Sequence, residues 1–416
     1  MPENAANPLI SVLMVNYNHA DSLRQAVESV LGQTYANLEL IVVDDGSTDD
    51  SCQVIKAFDD PRVKLVLLPE NRHICAATNT GFSQVTGQYL ARLDSDDCWE
   101  PQKLEKQLAY FQEHPGCRIV FTRVNLIDQD GNNVNDKMPD HFQMFEYEAC
   151  SQVDWLRTFF FEGNHLAHSS VLMETSLMRQ IGPFDMAYGQ CHDFDYWIRA
   201  AKICNLPIMP ERLTNMRRYD AEGEEEDVNN SEANERNSTM FWNEHLLMRS
   251  RFFDGMSDEL FIKAFQPYFR NPASATPLEL ECEKAFLLLN PETFDGAVCF
   301  AGVQRMRSLL NDPQALALLE GSFGYTVRDF YDLMRQHINY DRVLRNATTA
   351  EMDRLTTENG LLDAERNHLL EEIRMSQTHS GNLEAYVKDL ERTRDELTAQ
   401  LEEATKKHWP FRGSKK

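Results

Sequence analysis

Over its first half the chain alternates short apolar runs with amphipathic stretches. Ile10–Val15, Leu38–Val43, Val63–Leu68 and the run that ends at Asp94 read as buried strands. Asp21 opens a stretch in which Leu23, Val27, Val30 and Leu31 recur at i, i+4, i+7 and i+8, which predicts a helix. Ser51–Phe58 and Ala76–Val85 predict two more helices. Pro101 suits the first turn of another, which would bury Leu104, Leu108 and Phe111. Strand, helix and strand in this rhythm predict an α/β fold with a doubly wound, mostly parallel sheet.

The pattern changes beyond Asp220. Residues 221–232 open with Ala221-Glu222-Gly223-Glu224-Glu225-Glu226-Asp227, which can bury nothing and reads as an acidic loop. Residues 233–346 take helical spacing with breaks at Pro267, Pro272, Pro277, Pro291 and Pro313, as in a small helical domain. In residues 347–405, Leu355, Leu362, Leu369, Leu383, Leu390 and Leu397 lie on one seven-residue grid, with Met352, Asn359, Arg366, Ile373, Val387, Arg394 and Leu401 on the companion positions. This predicts a coiled coil that joins copies of the chain or docks a partner protein, with a bend or break near Ser376, Ser380 and Gly381. A long solvated single helix is the alternative. Residues 406–416 interleave Lys and Arg with Trp409 and Phe411, which suits either peripheral contact with an anionic membrane or a solvated tail.

Composition narrows the classes. With 416 residues and 42% of them hydrophobic, the chain can hold a catalytic domain and a smaller one. A net charge of -25 argues against nucleic acid as a partner, since phosphate binding needs Lys and Arg. Nine cysteines without CxxC pairs read as reduced thiols. No basic stretch followed by an apolar one marks a signal peptide, and no apolar run approaches the roughly 20 residues of a membrane span. A cytoplasmic protein is expected.

Three acidic clusters carry the candidate chemistry: Asp44-Asp45, Asp94-Ser95-Asp96-Asp97, and Asp193 within Cys191-His192-Asp193-Phe194-Asp195-Tyr196-Trp197. The first two close predicted strands, and open α/β sheets bind ligands outside their strand C-termini. Carboxylates there can recognise a nucleotide, hold a hard cation and supply a base. A dinucleotide-binding dehydrogenase is disfavoured, because Asn16-Tyr17-Asn18-His19-Ala20 stands where GxGxxG would be needed. Tyr17 can stack on a nucleobase, and Asp45 can accept from a base N–H. Each acid also has a local alternative: Asp44 and Asp49 as turn and helix caps, Asp193 as an N-cap.

The segments Ile10–Asn18, Gln33-Thr34-Tyr35, Glu39–Asp49 and Leu93–Asp97, in this order and spacing, resemble family 2 glycosyltransferases of the GT-A fold over residues 8–220. The resemblance implies an inverting, metal-dependent transferase. It would move a sugar from a nucleotide-diphosphate sugar, UDP-linked by family habit with dTDP and GDP open, to a hydroxyl of a glycan or glycoconjugate in surface polysaccharide synthesis. It implies Tyr17, Asp44 and Asp45 at the base, Asp94 near the ribose, Asp96 on Mn2+ or Mg2+, Arg218 on the phosphates and Asp193 as the general base. Four positions depart from the family pattern: His73 for a glycine, Thr78 for an arginine, His192 for an acid, and Asp220 where a histidine is usual. A protein glycosyltransferase, or a non-catalytic GT-A scaffold assembled by the coiled coil, stay open as readings.

Overall fold

The computed structural model describes residues 7–148, 151–218, 238–290, 299–335, 342–375 and 380–408. The chain divides into two compact units, Met1–Asn339 and Tyr340–Lys416. The first unit opens with β1 (Ile10–Asn16), α1 (Ala20–Leu31), β2 (Leu38–Asp44), α2 (Ser51–Lys56), β3 (Val63–Leu67), α3 (His73–Phe82) and β4 (Tyr89–Asp94). The predicted rhythm holds to within a few residues. After these come β5 (Cys98–Trp99), α4 (Lys103–Glu113), β6 (Ile119–Ile127), α5 (Pro139–Met144), α6 (Gln152–Phe161), β7 (Leu172–Glu174), α7 (Thr175–Ile181), α8 (His192–Ala201) and β8 (Ile208–Arg217).

Among the described residues one sheet has the order β3-β2-β1-β4-β7-β6-β8-β5. Its first four strands are parallel, while β7 runs antiparallel to β4 and β6, and β5 antiparallel to β8. β1 is buried along its whole length, because both faces of the sheet are covered. Leu13, Val15, Ile41 and Val43 enter a core with α3, α6 and α8, and Ile10, Val12, Met14, Leu40 and Val42 enter a second with α1 and α4. That two-sided burial is why these strands read as continuous apolar runs. The fold is GT-A-like: a Rossmann-like parallel half extended by a mixed half.

The sequence pattern sets a helical domain at 233–346. In the structure α9 (Ser238–Arg251), α10 (Asp258–Phe265), α11 (Pro277–Leu289) and α12 (Phe300–Leu310) begin that region. Met248, Phe252, Phe253, Phe261, Phe265, Leu280 and Leu288 share one core with the sheet residues Leu13 and Ile41. Phe160 of α6 lies 5.2 Å from the Phe253 ring and 5.4 Å from that of Phe265, so the helices enlarge the core of the α/β layer. A smaller core joins α11 and α12 to α13 (Pro313–Gly321) and α14 (Val327–Leu333).

The second unit holds α15 (Arg342–Met375) and α16 (Ser380–His408). Leu369, Val387 and Leu390 are buried together, with Leu362 and Leu383 against them. Asn359 bonds Thr398 at 2.9 Å and Arg394 reaches Asp363 at 3.4 Å, so residues pair in opposite chain directions. The heptad residues therefore meet within one chain, across an antiparallel helix pair. The acidic loop 221–232 and residues 409–416 of the basic tail lie outside the described residues. Among the described residues no helix is long and apolar enough to cross a membrane.

Candidate active site

Strand register brings the first two clusters to one edge. Asn16 is opposite Asp44, and Val15 is opposite Asp94. Asp44 is buried, and its carboxylate accepts from Asn16 Nδ2 (2.9 Å), Ser47 N (3.0 Å), Ser47 Oγ (2.7 Å) and Cys52 Sγ (3.3 Å). It is engaged in holding the β2–α2 turn. Asn18, at φ 56°, accepts the Thr48 N–H on Oδ1 at 2.8 Å, and Asp49 accepts the Ala20 N–H at 2.9 Å. The loops after β1 and β2 are thus interlocked. Gly46, at φ +75°, is needed at this crossing, because a Cβ there would lie 2.6 Å from the Glu70 carbonyl carbon. Asp45 accepts the Arg72 N–H at 2.9 Å, and burial raises its pKa. Tyr17 stands past β1 with 39% of its surface exposed. His73 is exposed at φ 65°, a left-handed conformation that explains why glycine suits this position.

The second cluster is organised from below. Arg92, buried in β4, places its guanidinium 3.0 Å from Asp94 Oδ1 and donates to the Leu13 carbonyl. His168 Nδ1 lies 3.5 Å from Asp94 Oδ2, and Ser169 Oγ donates to the same oxygen at 3.2 Å. Although burial opposes ionisation, His168 and Arg92 hold the Asp94 carboxyl well below the usual carboxylate range. Asp96 is half-buried and takes no hydrogen bond from another side chain among the described residues. Burial, with the Asp94 charge, raises its pKa, and His19 and Arg218 lower it. Asp97 accepts the Arg217 N–H at 2.8 Å, which ties the motif to β8. Arg217 donates to the Asp96, Asp128 and Gln129 carbonyls and is a structural residue. Arg218 is buried beside Asp96 with its guanidinium 5.9 Å from the Phe145 ring. Asp220 lies outside the described residues.

The third cluster begins α8. Asp193 accepts the Phe194 N–H on Oδ1 (2.7 Å) and Asn164 Nδ2 on Oδ2 (3.0 Å). Burial raises its pKa, with the Asp94 charge adding to that, and His192 opposes it. His192 packs edge-on to His168, ring centres 5.5 Å apart, and burial pushes its pKa down to about 4. Its Nδ1 lies 3.1 Å from the Gly189 carbonyl, which only accepts, so Nδ1 carries the proton and Nε2 a lone pair. Asp94, His168, His192 and Asp193 therefore form one continuous polar wall.

Among the described residues no group of three or more His, Cys, Asp and Glu is arranged to hold a metal. A hard divalent cation takes about six oxygens, so the protein could supply one or two and a phosphorylated ligand and water the rest. The uncommitted, half-buried Asp96 carboxylate fits that donor set.

The fold and its acidic edge fit a glycosyltransferase. "Glycosyl transferase family 2" matches residues 11–179. An uncharacterized glycosyltransferase of Rickettsia typhi is 30% identical over 224 residues, 53% of this chain and 68% of that relative. A Bacillus subtilis protein named as a teichuronic acid biosynthesis glycosyltransferase, TuaG, is 40% identical over 126 residues, 30% of this chain and 50% of TuaG. The crystal structure of Staphylococcus aureus TarS matches 78% of this chain and 54% of its own at 16% identity and a TM-score of 0.48. The chain belongs to glycosyltransferase family 2 and is a glycosyltransferase.

Sequence reasoning missed Arg92, Asn164 and Glu244. A charged residue at a mid-strand position, as in Leu90-Ala91-Arg92-Leu93, is a signal for a buried partner. Asn164 and Glu244 lie in no motif, and only the fold brings them to α8.

Proposed function

We propose that the chain transfers a sugar, with inversion, from a nucleoside diphosphate sugar to a hydroxyl of a glycan or glycoconjugate. UDP is the nucleotide we favour, and a surface polysaccharide the destination, in line with the name that TuaG carries. The observation that supports this most is that two unlike carboxylates flank Asp94 and feel its charge: Asp96, which takes no hydrogen bond from another side chain among the described residues, and Asp193, held by Asn164 and its own helix. Tyr17 and Asp45 would hold the base, since Asp44 is occupied within its turn. Asp94, paired with the Arg92 guanidinium and 3.5 Å from His168, would face the ribose, and Arg218 the diphosphate. A divalent cation on Asp96 and the diphosphate would supply charge neutralisation for the leaving group. Asp193 takes the proton of the acceptor hydroxyl as that oxygen attacks the anomeric carbon, and its burial strengthens it as a base.

The test is a thermal-shift screen of nucleotide sugars with and without Mn2+, on the wild type and Asp96→Ala. One donor should stabilise the wild type only with metal, and the variant should lose that gain. Equal stabilisation without metal, in both proteins, would remove Asp96 from the donor site.

A further inference from the structure

Resting on the transfer reading above, we propose that Glu244 is a positioning residue for the base, holding from outside the sheet the turn that aims His192 and Asp193. Glu244 lies on α9, in the helical region that follows the sheet. Its Oε1 accepts the Gly189 N–H at 2.7 Å, and its Oε2 accepts those of Gln190 at 3.0 Å and Cys191 at 2.7 Å. Three consecutive amides therefore converge on one carboxylate that is only 5% exposed. These residues lead directly into α8. The N-cap of α8 is Cys191, whose side chain makes no cap bond, and Glu244 satisfies its amide and the two before it from another element. An anion at this end also suits the helix dipole.

The turn transmits the clamp to the chemistry. The Gly189 carbonyl accepts from His192 Nδ1, and Asp193 is the next residue. A helix far along the chain thereby fixes the orientation of two side chains in the polar wall, which gives α9 a reason to share the core.

The experiment compares wild type, Glu244→Gln and Glu244→Asp. The glutamine keeps one acceptor oxygen and turns an NH2 toward the amides. The aspartate keeps the charge but withdraws it by one methylene, and it decides the question if the glutamine variant does not fold. Hydrogen exchange of the 189–191 amides is measured beside release of nucleoside diphosphate from UDP-glucose, UDP-N-acetylglucosamine and GDP-mannose with Mn2+. Exchange at 189–191 should rise about 10-fold with that of β1 and β4 unchanged, and kcat should fall about 10-fold with donor KM within about two-fold. Unchanged exchange overturns the clamp. Raised exchange with unchanged kcat overturns its role in catalysis. If the wild type releases no diphosphate from any donor while exchange still rises in the variants, the transfer reading fails and the clamp stands.

Discussion

Replacing Arg92 by methionine removes the charge that offsets Asp94 while keeping most of the apolar volume. Arg92 is 3% exposed, and its guanidinium sits 3.0 Å from Asp94 Oδ1 and bonds the Leu13 carbonyl at 3.2 Å. Breaking a buried pair by deleting one partner costs about 3–5 kcal/mol, chiefly through the charge left behind. Asp94, the charge left behind, is 32% exposed and His168 lies 3.5 Å from its other oxygen, so a loss below that range, about 2 kcal/mol, is expected. Changing Asp94 to asparagine as well removes the stranded charge, and the double variant should recover at least about 1 kcal/mol. Urea unfolding of the four proteins of this cycle, read at equal slope, gives the coupling directly. A loss under about 1 kcal/mol in Arg92→Met, or no recovery in the double variant, would show that the pair is not what holds Asp94.

Two further substitutions probe the rest of the edge. Asp193→Asn should abolish transfer while leaving nucleotide binding intact. The pKa of Asp193 is raised in the fold, so keeping it ionised at neutral pH costs stability that is present below the ordinary carboxylate range and lost as pH rises through the raised value. The variant should therefore unfold at higher urea at pH 7, and its advantage should shrink on acidification. His73→Gly releases a left-handed non-glycine residue, worth about 1–2 kcal/mol, against the entropy of a freer unfolded chain. The net should be a gain of about 0.5–1 kcal/mol in urea unfolding, and a loss of that size would show that the His73 side chain holds the loop.

Much of the site was legible because its parts are local. Asp44, Asp94 and their strands could be read from runs buried on both sheet faces, and parallel register then aligned their ends. The occupation of Asp44 was legible only as a capping alternative, since it depends on Asn16 and Cys52 arriving from other elements. Asn164 and Glu244 reach α8 through long-range packing, which carries no periodic signal. The packing of the helical region was hidden for the same reason: Phe252, just after α9, and Phe265 of α10 look like any amphipathic face until Phe160 meets them. Leu362, Leu369, Leu383 and Leu390 of the leucine grid pack together within the chain, and a heptad repeat does not tell a partner chain from a helix folded back in this way.

The proposed transfer requires Asp96 and Asp193 to act at one site on one donor, in separate roles. It is tested most directly by following nucleoside diphosphate release from the donor found in the thermal-shift screen, at a series of Mn2+ concentrations, in the wild type, Asp96→Ala and Asp193→Asn. Metal-dependent release is expected in the wild type, with donor affinity lost in Asp96→Ala and binding without turnover in Asp193→Asn. Turnover retained in Asp193→Asn, or release independent of both metal and Asp96, would contradict it.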